Sequence, residues 1–173
     1  MNLNFQKKEL GVMAKTLVLY YSYEGHTKKV AEVIAKEISA DIEGVKPIKE
    51  MKTKGFGKFL WGGSQVVMKK KPELKPLNVN PDDYDIVFVG TPVWAFTYAP
   101  PVKTILETGI LKNKKVAFFY THEGGAGKTE ENAKNVIEKN NAYLGGLSCV
   151  NVAKDFEVLK PELIQWAREM SDK

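Results

Sequence analysis

The chain reads as an open, doubly wound parallel α/β sheet, and three observations carry that reading. Short apolar strand candidates alternate with helix-patterned stretches from residue 16 to the C-terminus, the central strands are apolar on both faces, and the segments that interrupt the hydrophobic pattern sit just after strands. Strands are expected at 16–21, 40–45, 84–89, 115–120 and 146–152. Ile86-Val87-Phe88-Val89 and Val116-Ala117-Phe118-Phe119-Tyr120 are continuous apolar runs, so helices should cover both their faces. The helices follow in order. Val30, Val33, Ile34 and Ile38 recur at helical spacing, then Val102, Ile105 and Leu106, then Ala133, Val136 and Ile137, and last Leu163, Ile164, Ala167 and Met170. Right-handed crossovers place such helices on both sides of the sheet, and ligands then bind beyond the carboxyl ends of the strands.

Two stretches fit the alternation less well. Residues 51–76 set Phe56, Phe59, Leu60, Trp61 and Val66-Val67-Met68 among lysines and read as a helix made irregular by Gly62-Gly63. Residues 1–12 carry no motif and are set apart as an N-terminal extension of a single domain over 13–173.

Composition excludes several classes. With 173 residues, 43% hydrophobic and 27% charged, the chain has the make-up of an ordered globular domain. No apolar run approaches the roughly 18 residues that suggest a membrane span, and the N-terminus lacks the apolar segment of a signal peptide, so a cytoplasmic location without membrane contact is expected. The single cysteine, Cys149, cannot close an internal disulfide, and its apolar neighbours predict a buried, inert thiol. The net charge is +5, concentrated in the lysines between positions 46 and 75. A lone arginine, Arg168, argues against nucleic acid, whose phosphate and base edges favour guanidinium forks.

Three segments carry chemistry. Ser22-Tyr23-Glu24-Gly25-His26-Thr27 joins the first strand to a helix, where backbone N–H groups, hydroxyls and the helix dipole can converge on one phosphate. Thr91-Pro92-Val93-Trp94-Ala95-Phe96 follows the third strand and sets aromatic rings at the sheet edge, able to stack on a planar group. Thr121-His122-Glu123-Gly124-Gly125 follows the fourth, and its glycines let backbone approach a flat ligand closely. The later run Gly124 to Thr129 ends in G-K-T, but the first glycine of a nucleotide-triphosphate loop would fall on His122.

The order of these segments resembles the flavodoxin family over essentially the whole chain from Met13. The first is similar to that family's S/T-x-T-G-x-T phosphate loop, with Ser22, Gly25 and Thr27 in place and Glu24 where a threonine is usual. The resemblance implies a flavodoxin-like five-stranded sheet of order 2-1-3-4-5 binding FMN noncovalently. It places all seventeen residues of the three segments at the cofactor: the first on its phosphate, Trp94 or Phe96 against the ring with Trp94 preferred, and Thr121 to Gly125 along the pyrimidine edge. It also implies a glycine near Ala95, whose peptide flip stabilises half-reduced flavin; an alanine should resist the positive φ required.

Two functions follow from that resemblance. One is an electron-transfer flavoprotein that passes electrons between a reductant and an acceptor, which is either a partner protein or a small molecule. The other is an FMN-dependent NAD(P)H or quinone reductase, toward which the basic charge leans because carrier flavodoxins are usually acidic. His26 and His122 fall in the proposed loops, where each serves as a polar residue beside the cofactor or, for His122, as an acid. The donor, the catalytic residues and the oligomeric state stay open at this level.

Overall fold

The computed structural model describes residues 14–49 and 69–173. The extension 1–12 and most of the stretch 51–76 lie outside the described residues. Six strands form one sheet: β1 (Thr16–Tyr20), β2 (Asp41–Gly44), β3 (Ile86–Trp94), β4 (Thr97–Tyr98), β5 (Lys115–His122) and β6 (Ala142–Val150). Helices are α1 (His26–Glu37), α2 (Pro100–Glu107), α3 (Thr129–Ile137) and α4 (Val152–Ser171). The strand order is β2-β1-β3-β5-β6, with β4 hairpinned onto the end of β3. The five long strands pair in parallel, in the expected 2-1-3-4-5 order once the short β4 is set aside.

Both faces are covered, as the continuous apolar runs require. Leu17, Leu19, Val87, Val89, Val116 and Phe118 point to one side, under α2 and α3 through Val102, Ile105, Ala133 and Ile137. Val18, Ile86, Phe88, Ala117 and Phe119 point to the other, where α1 brings Val30 and Ile34 and α4 brings Leu163, Trp166 and Met170. Phe88 meets Trp166 edge to face, with centroids 5.4 Å apart. Cys149 is 2% exposed in this second layer, and burial pushes its thiol up to about 12, which makes it inert at neutral pH.

Several boundaries differ from the sequence reading. β3 runs past residue 89 to Trp94 because its backbone continues to pair with β5 at Gly90, Thr91 and Pro92, then turns back as β4. β5 likewise reaches His122, so Thr121 and His122 are strand residues. The last strand is displaced toward the N-terminus, starting at Ala142 and ending at Val150, because Asn151 adopts a left-handed φ of 51° and opens α4. Residues 70–76 are extended, with Leu74 bridging Pro47, and not the tail of a helix. Pro72 and Pro76 push the residues before them out of the helical region.

Gly90 sets the spacing between central strands. A Cβ there would lie 2.2 Å from Cζ of Phe119, its paired residue on β5. Gly90→Ala should therefore destabilise the fold by about 1–3 kcal/mol through overpacking, measurable as a lower midpoint in urea denaturation with an unchanged slope.

Candidate functional site

The carboxyl ends of β1, β3 and β5 open on a common cleft of about 430 Å³, within the range of small-molecule sites. Its walls are the β1–α1 loop, the β3–β4 turn, the end of β5 with its following loop, and the start of α4. Fifteen of the seventeen residues expected at a cofactor line it. Gly25 and Thr91 do not.

At one end, α1 begins on Gly25, which has φ 94° and donates its N–H to Ser22 Oγ at 3.2 Å. The first intrahelical bond runs from Lys29 N–H to the Gly25 carbonyl, which leaves the N–H groups of the first turn outside the helical ladder. Thr27 and Thr121 are both buried, and their hydroxyls lie 2.8 Å apart. One hydrogen serves that contact, so the pair keeps a second for another acceptor. Glu24, the departure from the usual loop, turns outward, its side chain 68% exposed and its carboxylate 3.7 Å from His26 Nε2. No carboxylate is forced into the space an anion would take.

At the other end stand rings. Trp94 is only 6% exposed, and Tyr21 and Tyr23 meet it edge-on at 5.6 and 5.9 Å. It is an inner wall. Phe96, at 66% exposure, and Tyr23, at 42%, are the accessible rings. Thr91 is committed to the scaffold: its hydroxyl donates to the Pro92 carbonyl at 2.9 Å and accepts from Ala99 N–H at 3.0 Å, tying the β3 end to the start of α2.

The turn joining β3 to β4 consists of Ala95 at φ 48° and Phe96 at φ 61°. Val93 pairs with Tyr98 and Trp94 with Thr97, so this is a two-residue hairpin whose backbone favours Asn-Gly. Ala95 holds a positive φ despite the cost an alanine bears there, because the hairpin and its neighbour impose the conformation. Gly127 supplies the support: with φ 56°, it lies where a Cβ would come within 2.4 Å of Phe96 Cβ and 2.9 Å of the Phe96 carbonyl. Only glycine admits that approach.

His122 closes the third side. Its Nε2 lies 2.8 Å from Ser148 Oγ, its Nδ1 accepts from Gly124 N–H at 3.2 Å, and its ring stacks on Tyr120 at 5.9 Å. Burial lowers its pKa from the ordinary value. The nucleotide-triphosphate reading of the following loop finds no support in the side chains: Thr129 bonds the Ala126 carbonyl at 2.7 Å, and Lys128 lies 3.8 Å from Glu131.

Val152 and Ala153 also line the cleft, and sequence reasoning missed them. It carried the last strand through residue 152 and so placed no helix start at this edge. Asn151, a residue type enriched at positive φ, was the available signal.

Two predictions follow from this geometry. Ala95→Asn should stabilise the protein by up to about 1 kcal/mol while Ala95→Val destabilises it by more than about 1 kcal/mol, read by urea denaturation, since a β-branched residue tolerates left-handed backbone poorly. His122 binds a proton less readily folded than unfolded, so its contribution to stability is present above the ordinary histidine pKa and is lost as pH falls through it. Stability measured between pH 7.5 and 5.5 should fall more steeply in the wild type than in His122→Gln.

The comparisons with known proteins agree with this architecture. A family model described as flavodoxin matches residues 15–167. The chain is 31% identical over 140 residues to the flavodoxin-like domain-containing protein BilS of Clostridioides difficile; the match covers 78% of this chain and 65% of BilS, so it spans less than two thirds of that relative. Among solved structures it is similar to a Lactobacillus acidophilus flavoprotein crystallised in complex with FMN, at 30% identity and a TM-score of 0.65, covering 85% of this chain and 97% of that one. Megasphaera elsdenii flavodoxin, at 20% identity and a TM-score of 0.59 over 91% of this chain and 99% of that one, shares the fold. Sequence match, strand order and the cleft at the strand ends thus agree, and the chain belongs to the flavodoxin family.

Proposed function

We propose that the cleft binds FMN noncovalently and that the protein passes electrons between a reductant and an acceptor. The observation that carries this reading is the polarity of the cleft. One end offers hydroxyls and the start of α1 to a phosphate, and the other offers Tyr23 and Phe96 to a flat ring. The FMN complex of the Lactobacillus acidophilus flavoprotein supports it. The fit is good on the structure's own terms, since Glu24 is turned away and the cleft volume suits a ligand of this class.

When bound, FMN supplies reversible electron-transfer chemistry. The chain's residues bind and shield. Ser22, Thr27 and the N–H groups at the start of α1 hold the phosphate, and the helix dipole favours its charge. Trp94 fixes the inner wall, while Phe96 and Tyr23 cover the ring and exclude water. The remaining residues of the segments, Glu24, His26, Pro92, Val93, Ala95 and Thr121 to Gly125, complete the walls of the cleft. Gly25 and Thr91 act indirectly, by shaping the loop and by anchoring the strand end.

The net charge of +5 favours a second reading, an FMN-dependent NAD(P)H or quinone reductase. An exchange partner for so basic a protein should present acidic surface and dissociate as salt rises. Among the described residues no helix is long and apolar enough to cross a membrane, and we place the protein in the cytoplasm.

Purified protein should be yellow, or become so on adding FMN, with flavin fluorescence reporting the affinity. Ser22→Ala and Thr27→Val should each weaken FMN about tenfold or more, the loss of a hydrogen bond to a charged group being worth about 1.5–3 kcal/mol. A colourless protein that takes up no FMN would end this reading. Anaerobic mixing of the holoprotein with NADH or NADPH separates the two functions: rapid bleaching without a second protein identifies the reductase.

A further inference from the structure

Two sets of hydrogen bonds flank the β5–β6 pair, one at the cleft and one on α3. His122 Nε2 contacts Ser148 Oγ at 2.8 Å, and Tyr120, whose ring stacks on His122, donates to Glu130 Oε2 at 3.0 Å. Tyr143 donates to the other oxygen, Oε1, at 2.9 Å. Ser148 and Tyr120 are register partners on adjacent strands, which is why their side chains share a face.

These contacts specify where each hydrogen lies. An ionised carboxylate only accepts, so both tyrosines donate to Glu130. In the neutral ring of His122 only one nitrogen carries a hydrogen, and Nδ1 is occupied as an acceptor. The ring nitrogen Nε2 therefore carries the hydrogen, and the Nδ1 lone pair receives the Gly124 N–H. One neutral tautomer satisfies every member. Burial, together with Glu130, raises the pKa of both tyrosines, so neither releases its proton near neutrality.

Adding a proton at Nδ1 would set one donor against another, and the Gly124 amide would have to turn away. Gly124 sits at φ 139°, and beyond its chain neighbours no heavy atom lies within 4 Å of where a Cβ would be, so no other element is packed on that side of it. The residue lines the cleft.

We propose that His122 is a proton-binding site coupled to the charge of the cleft's occupant: negative charge there draws a proton onto Nδ1, and the displaced Gly124 amide turns to face that charge. The proposal rests on the FMN reading. The electron comes from the reductant of the proposed reaction, the proton comes from solvent at the cleft mouth, and the one bond that forms is Nδ1–H. Ser148 and Tyr120 are positioning residues, one bonded to the ring and the other stacked on it.

The other titratable groups near the ring are few. Tyr120 shares its strand, and Glu123 follows it in the loop. From β6 come Tyr143 and Cys149, the latter on the opposite face; α3 brings Glu130, with Lys128 at its start. The β1–α1 loop brings Tyr23, Glu24 and His26, while α4 presents Val152 and Ala153 to the cleft. The bound occupant is thus the nearest new source of charge when it gains electrons.

The test is nitrogen-resolved NMR of the two histidines in FMN-loaded protein, with His122→Gln assigning the signals. In the oxidised holoprotein, His122 should show a hydrogen on Nε2 and a bare Nδ1. After dithionite reduction its proton affinity should rise at least about tenfold, one pKa unit. The midpoint potential should show an added pH dependence, beyond the flavin's own proton uptake, in the window between the two values, and His122→Gln should lose that added part. Ser148→Ala, which removes the partner of Nε2, should let the second tautomer appear in the oxidised protein. A yellow protein whose His122 titrates identically in both redox states overturns this proposal alone. A protein that takes up no FMN overturns the reading beneath it as well.

Discussion

A strand covered by helices on both faces has no water to offer a polar side chain, and that constraint organises this protein. Leu17 to Leu19, Ile86 to Val89 and Val116 to Phe119 are all essentially unexposed, so the middle of the sheet can carry only apolar residues and backbone. Chemistry is displaced to the strand ends. Because β1, β3 and β5 are adjacent and parallel, their carboxyl ends lie side by side, and residues far apart in the chain, 94 positions in the case of Thr27 and Thr121, are brought together there. The Thr27 and Thr121 hydroxyl pair shows the rule at its margin: buried polar atoms are admitted where the sheet ends, and there they satisfy one another.

The same constraint explains what the sequence made legible. Uninterrupted apolar runs identified the central strands and both helical layers, and the hydroxyl- and glycine-rich segments after them identified the edge. Strand ends were less readable. Thr91-Pro92 reads as a stop, yet β3 continues through it because pairing with β5 uses backbone groups that side-chain pattern does not report. The fifth strand was drawn too far because Asn151 turns the chain by its own φ, without a glycine or proline to announce it. In 70–76, two prolines should have outweighed the length of the helix expected there.

Aromatic roles were the hardest to read. Trp94 has the larger ring and was preferred for stacking, but its position as the last paired residue before a hairpin turns it inward against Tyr21 and Tyr23. Phe96 sits in the turn itself and so stays outside. Its backbone conformation comes from the hairpin geometry and from Gly127, thirty-one residues later, which nothing local in the sequence could supply. The β3–β4 turn and the loop after β5 therefore form one unit at the mouth of the cleft.

The sealed thiol has a practical side. Cys149 is the only cysteine in the chain, and it lies within the layer between the sheet and α4. The native protein thus offers no reactive sulfur to an alkylating dye or to a second copy of itself. A cysteine placed on the exposed face of the 95–96 turn would be the sole labelling point, and a fluorophore there would sit at the mouth of the cleft and report what binds in it.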